Sequence, residues 1–428
     1  MASYPEQSST SVITSHGAPS SFVARANGWL ENAWARGWLQ RPELDPQALL
    51  AVSARSTGLD DFGSDDGWRE RLGSLCLALR EEAALTSVGT TIAYGQLVSA
   101  LSSRLRAAEM RKRHPEIEEV PLSRPIIVVG QMRSGSTRMQ RLLACDRRLT
   151  FTRFFESWNP LPRWTHRGID DRVLRAWIAL RVARLLNPKF DVVHPTRTMQ
   201  PDEEIGLHNI ALYGAAFEAQ WRIPSFALAG ERNDSRPVYE EFRGYLQTIR
   251  WLRGDRSDRP WILKVPQFGQ DLKTVIDVFP DARIILLERD PVEVVGSSAS
   301  LVHNQMAVQT AEIDAAWIGR EWLRKTVLRR DRIAEGLRHH RAPHVKVTFE
   351  DMRTDWRGQM RQVYELLEMP LTTDLENRMA RYLGRRRHER LGRHQYDIGH
   401  FGLTEAEIRS AFSSGLRPDR DLQPQVAA

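Results

Sequence analysis

The stretch PIIVVGQMRSGSTRMQRLL, residues 125–143, constrains the chain more than any other. Ile126, Ile127, Val128 and Val129 form an unbroken branched apolar run between a proline and Gly130. Such a run predicts a short strand buried on both faces. Arg133, Ser134, Gly135, Ser136 and Thr137 follow as a loop, and Met139, Leu142 and Leu143 then return at helical spacing. A strand, a loop of small residues and a helix, in that order, aim backbone N–H groups and the positive end of a helix dipole at one point. That arrangement is an anion cradle.

The chain beyond this unit repeats the same texture. PWILKVP (260–266), RIILLERDP (283–291) and HVKVTFEDM (344–352) read as strands, and helical stretches separate them. Alternation of this kind predicts an α/β fold, a P-loop-type parallel sheet flanked by helices. In such sheets ligands sit beyond the carboxyl ends of the strands. The Gly130 loop, Lys264 and Arg289 all fall at such ends. Upstream, Trp68, Leu72, Cys76 and Leu79 share one helical face, and Leu97, Leu101 and Leu105 share another. The division expected is a polar head (1–21), a helical N-terminal extension (22–120), the α/β domain (121–416) and a loose tail (417–428). Leu174, Ile178, Val182 and Leu185 recur at helical spacing after the acidic pair Asp170 and Asp171, which predicts one more helix.

The net charge of +7 over 428 residues favours an anionic ligand. Nucleic acid is not expected, because no long basic block carries interleaved aromatics. Only six of the 61 basic residues are lysines, so each lysine repays inspection. Two cysteines, Cys76 and Cys145, have neither disulfide-framework nor metal-site spacing. No apolar run approaches the length of a membrane span, and the polar head lacks a signal core, so the expected location is the cytoplasm.

Gly130 and Gly135 have the spacing of the G-x-x-x-x-G-K-[ST] nucleotide loop, but Ser136 stands where that motif has lysine. An NTPase places that lysine on its β- and γ-phosphates, so a kinase or NTPase is the weaker alternative. A second element is ERDPVEVVGSSAS. Arg289 ends a strand, Pro291 suits a first helical turn, and Ser297 lies eight residues after Arg289. The arginine fork and that serine could share one phosphate.

Together these segments resemble the sulfotransferases that use 3′-phosphoadenosine 5′-phosphosulfate (PAPS), and in particular their bacterial branch. GQMRSGSTRMQRLL is similar to the family's 5′-phosphosulfate loop, RDPVEVVGS to its 3′-phosphate element, and WILKVPQFGQDLKTVIDVFPDARIILLERDP to its Lys-x-Pro strand and the helix after it. FFESWNPLP, HVKVTFEDM, RHQYDIGHFGLTEAEIRSAF, DDFGSDDGW and AALTSVGTT also look like that branch.

The resemblance implies a metal-independent in-line transfer of a sulfuryl group from PAPS to a hydroxyl or amine. Its implied cofactor residues are Arg133, Ser134, Gly135, Ser136, Thr137, Arg138, Arg289 and Ser297, with Arg133 on the 5′-phosphate and the leaving oxygen. Lys264 is expected to neutralise the sulfuryl oxygens. Many relatives place a histidine base two residues after the proline of Lys-x-Pro, where this chain has Phe268. Other branches use a glutamate, and Glu156 in TRFFESWNP matches that location. A carboxylate among Phe154, Phe155 and Trp158 would have its pKa raised, as a base needs.

His194, Asp202, Glu203, Glu204 and His208 form a second polar set, with Glu204 and His208 one turn apart and in reserve for acceptor binding. Arg385, Arg386, Arg387 and Arg393 could reach the 3′-phosphate. Trp158, Trp164, Trp177, Phe217 and Trp221 lie between the two cofactor motifs and could wall an acceptor that is a small molecule, a lipid or a carbohydrate. Phe268 also motivates a non-catalytic PAPS-binding protein on the same fold. Self-association into a homo-oligomer is left open.

Overall fold

In the computed structural model the chain is described over residues 20–64, 66–163, 170–188, 190–193, 195–388 and 397–414. Five strands make one sheet: β1 (Ile126–Gly130), β2 (Thr150–Phe151), β3 (Trp261–Leu263), β4 (Arg283–Glu288) and β5 (His344–Thr348). Their spatial order is β2-β3-β1-β4-β5, and every pairing is parallel. Ile127 sits opposite Leu263 on one side and Ile284 on the other, so β1 is the central strand. All four strands expected from the sequence are present. β2 was not expected, because two residues leave no apolar run to detect.

The pleat sends alternate residues of β1 to opposite faces. Ile127 and Val129 join Leu263, Ile284, Tyr239, Phe242, Phe268 and Leu272 in one core. Ile126 and Val128 join Ile262, Ile285, Leu287, Met139, Leu142, Met360 and Val363 in the other. Both faces are therefore covered, as a parallel sheet requires. Helices Ser136–Leu143, Phe268–Val278, Pro291–Met306 and Trp356–Leu366 follow β1, β3, β4 and β5, and the 26-residue helix Ala315–His340 packs on two of them. The helix after β4 begins as its sequence dictates. Pro291 occupies the first turn, and the Asp290 carboxylate accepts from the backbone N–H groups of Val292 and Glu293.

Helices Ser21–Ala35, Pro46–Thr57, Trp68–Glu81 and Ser87–Arg113 make up the N-terminal layer. Trp68, Leu72, Cys76, Leu79, Leu97, Leu101 and Leu105 are buried there with Leu212, Phe217, Trp221 and Phe226. Phe217 and Trp221 stack on each other at 5.5 Å and are fully buried, so they are core and not acceptor wall. The helix expected after Asp171 spans Arg172–Leu186. Its Leu174, Ile178, Val182 and Leu185 face outward, each about half exposed, while Ala176 and Leu180 face the protein. Regular spacing identified the helix, but periodicity alone does not say which side is covered.

Candidate functional site

Four strand ends converge on one region. The loop after β1 carries residues 131–135, Lys264 follows β3, Arg289 follows β4 and Phe349 follows β5. Gly135 caps the helix Ser136–Leu143 with φ +95°, and a Cβ there would lie 3.1 Å from the Phe349 ring. At Gly130 a Cβ would meet the Leu287 carbonyl oxygen at 2.5 Å. A side chain at Gly130 would need backbone movement, and one at Gly135 would be strained by its φ and would have to displace the Phe349 ring. Arg133 takes a left-handed φ of +68°, a strained conformation for a residue with a side chain.

The loop is pinned at several points. Ser134 Oγ donates to the Gln131 carbonyl at 2.6 Å, and Gln131 Nε2 donates to the Thr326 carbonyl at 2.9 Å. Thr326 belongs to the long helix 315–340, where buried Lys325 is ion-paired with Glu218 and Glu231 at 2.9 Å each. Burial pushes the Glu231 carboxyl up, but Lys325 and Arg324 outweigh it and hold the value at about 2. This anchor was not legible in the sequence, because nothing in the spacing joins Lys325 to two acids roughly a hundred residues upstream.

Arg133 Nε donates to Ser297 Oγ at 3.0 Å, and Arg289 Nη1 donates to the Arg133 carbonyl at 2.9 Å. The two candidate anion-binding elements therefore touch. Arg289 also pairs with Glu293 at 2.7 Å and lies over the Phe349 ring at 4.2 Å. Lys264 is 97% removed from solvent: its Nζ bonds Thr137 Oγ1 at 3.1 Å and pairs with Glu203. Arg138 lines a small niche with Ser134, Gly135, Thr348 and Phe349. Arg133, Ser134, Gly135, Ser136, Thr137, Arg138, Lys264, Arg289 and Ser297 thus gather around one loop.

Glu156 does not join them. It lies on the helix Phe154–Trp158 after β2, with no exposed surface. Arg253 donates to it through Nε at 2.7 Å and again through Nη2, and the Arg153 backbone N–H donates at 2.8 Å. A carboxylate with no exposed surface and three donors on it ties the helix to Arg253. Glu204 and His208 are also wholly buried. Glu204 accepts from the Lys264 backbone N–H at 2.8 Å, and His208 stands among Tyr213, Tyr239, Phe242 and Phe268. Neither reaches an acceptor. Asp202 is buried and bonded to Thr196 Oγ1. Among the described residues of this set, Glu203 is the one that meets the Lys264 ammonium, at 15% side-chain exposure. Trp158 is half-buried against Phe154, and Trp177 is exposed. Trp164, His194 and Arg393, and the side chains of Arg386 and Arg387, lie outside the described residues, and Arg385 lies on the helix Thr373–His388.

Burial raises the Glu204 carboxyl from 4.5 to about 8 and lowers the His208 imidazole from 6.5 to about 3. Between pH 4.5 and 8 the folded chain keeps a Glu204 proton that the unfolded chain has lost, so this group makes stability fall as pH rises through that window. Between pH 3 and 6.5 the unfolded chain binds the extra proton at His208, so that group makes stability rise with pH. The two oppose each other from 4.5 to 6.5, and only the fall remains above 6.5. Glu204→Gln is expected to flatten the decline between pH 6.5 and 8 in denaturant midpoints. An unchanged slope would show that Glu204 ionises normally.

The family model for the sulfotransferase family matches residues 125–374, more than half of the chain. The chain belongs to the sulfotransferase family. The match spans the loop, Lys264, Arg289, Ser297 and all five strands. Two solved structures resemble this sulfotransferase over most of its length. Sulfotransferase STF1 from Mycobacterium tuberculosis H37Rv is 25% identical, with 87% of this chain and 100% of that one covered and a TM-score of 0.75. Sulfotransferase STF9 from Mycobacterium avium is 25% identical, with 86% and 94% covered and a TM-score of 0.76. No curated protein matches the sequence. The coverage of both structures exceeds what the family model alone spans.

Proposed function

We propose that this sulfotransferase takes the sulfuryl group from PAPS and passes it to a hydroxyl or amine of a small-molecule, lipid or carbohydrate acceptor. The observation that carries the reading is the 3.0 Å bond from Arg133 to Ser297. It joins the loop that resembles a 5′-phosphosulfate cradle to the element that resembles a 3′-phosphate site, as a doubly phosphorylated adenosine requires. The residues fit such a ligand. The glycines leave the backbone open, a helix N-terminus faces the loop, and Arg133, Arg138, Lys264 and Arg289 supply cations.

Bound PAPS would supply an activated sulfuryl group with a phosphate leaving group. The N–H groups of Ser134 to Thr137, with the hydroxyls of Ser136 and Thr137, would hold that phosphate. Arg133 would offset the charge that develops on the bridging oxygen, and Lys264 would face the sulfuryl oxygens. Arg289 and Ser297 would take the 3′-phosphate. For the general base we assign Glu203 in place of Glu156. Glu203 shares Lys264 with the cradle, and its carboxylate becomes available once Lys264 turns to an anionic donor. It would then accept the acceptor's proton.

Titration calorimetry with adenosine 3′,5′-bisphosphate tests the reading. Arg289→Ala removes a charged hydrogen-bond donor worth about 1.5–3 kcal/mol, so affinity is expected to fall roughly 10- to 100-fold. Turnover of ATP with magnesium and no bisphosphate binding would instead select the NTPase alternative.

A further inference from the structure

The helix Arg172–Leu186 presents an outer face that the protein leaves uncovered. Its exposed positions include Val173, Leu174, Trp177, Ile178, Arg181, Val182 and Leu185, a continuous stripe in which Arg181 is the one charged residue. Trp177 and Leu174 are more than half exposed. Six large apolar groups on a helix about 22 Å long form a patch of the kind that marks an interaction surface. The segment that carries the stripe is basic in sequence. Residues 163–197 hold eight basic side chains against three acidic ones, a net of +5 within a chain whose total is +7. The acids are already engaged: Asp170 binds Arg172, Asp171 binds Arg175 and Asp191 binds Arg184.

We propose that this face docks on an anionic lipid bilayer, lying in the headgroup region with its apolar stripe down. An apolar stripe with tryptophan, set among arginines, is the pattern of a helix that lies on a membrane surface. No helix of the described residues is long and apolar enough to cross a membrane, so the contact is peripheral. Arg181 decides between a bilayer and a second copy of the chain. It sits mid-stripe with its guanidinium over the Trp177 ring at 5.7 Å. In a two-fold pairing of this face, the two Arg181 side chains and their basic surroundings would meet like charges. On a bilayer the long stem lets the guanidinium reach lipid phosphates while Trp177 and Ile178 stay among the acyl chains.

The helix that carries the stripe is connected to the site through its packing and its chain. The helix packs on the Phe154–Trp158 helix beside β2, and the chain leaving it is tied to the loop helix where Arg141 Nη2 donates to the Pro195 carbonyl at 2.6 Å. Eight residues later it reaches Glu203.

The test is co-sedimentation of the full chain with extruded vesicles, either pure phosphatidylcholine or an equimolar mixture of phosphatidylcholine and phosphatidylglycerol. The expected result is partitioning to the anionic vesicles, weakened by salt, with little binding to the neutral ones. Leu174→Glu combined with Ile178→Glu is expected to lower the partition coefficient about 100-fold. These positions are solvent-facing, and Leu77→Glu, on an exposed position of another helix, is expected to change nothing. Absence of anionic-vesicle binding, equal binding by the double variant, or equal loss in Leu77→Glu would each overturn the proposal. So would a dimer in sedimentation velocity that the double variant dissolves, since that assigns the face to a second copy.

Discussion

Lys264→Ala is expected to reduce sulfuryl transfer by on the order of 10²–10³ in kcat, the usual loss when one preorganised charge-stabilising group is removed. Lys264 is nearly buried, its backbone is held by Glu204 and its ammonium is placed on Thr137 and Glu203. Its ammonium therefore stands beside the loop before any ligand arrives, within reach of a donor it can turn to, and water that enters in its place cannot supply the same charge. Affinity for adenosine 3′,5′-bisphosphate should change far less, because that ligand lacks the sulfuryl group. Glu203→Gln separates the two partners: it keeps the Lys264 charge but removes the base. Its loss should therefore grow with the pKa of the acceptor hydroxyl, whereas the Lys264→Ala loss should not. Equal kcat in wild type and Lys264→Ala would end the assignment.

The second large effect is on stability. Glu156→Ala is expected to cost about 3–5 kcal/mol of unfolding free energy, because it strands the Arg253 guanidinium beneath the end of β2. Arg253 is only 13% exposed at its side chain, and besides Glu156 it donates to Thr150 Oγ1 at 2.9 Å and to the Phe151 carbonyl at 2.7 Å. The acid thus locks a helix to the two-residue strand at the edge of the sheet. A conformational clamp of this kind shows in urea or guanidinium midpoints. A base would show in turnover alone, so a variant that is inactive yet fully stable would restore Glu156 to the chemistry.

The sequence exposed the parts of this molecule that depend on local pattern. The β1 run, the loop spacing and the Asp290-Pro291 start are each readable within ten residues, because burial on both faces and helix capping act over that range. The parts that depend on distant partners were not readable. Glu156 has the same neighbours on paper whether it faces an acceptor or Arg253, which is 97 residues away. Glu203 and Glu204 are consecutive and lie just ahead of the helix Ile205–Ile210, yet one meets the Lys264 ammonium and the other its backbone N–H. Nothing in the local pattern around Glu203 marks the lysine it meets. The stripe at 174–185 was visible as a helix, but its outward orientation follows from the surfaces that Ala176 and Leu180 bury.

The bond between Arg133 and Ser297 closes a separation of 164 residues. During synthesis the cradle leaves the ribosome long before the strand and helix that complete it. No ligand can reward the first half for being correctly shaped, and the left-handed turn at Arg133 gains its tether only when β4 has docked beside β1. Donor binding can therefore act as a late check on assembly, and cannot serve as an early template for it.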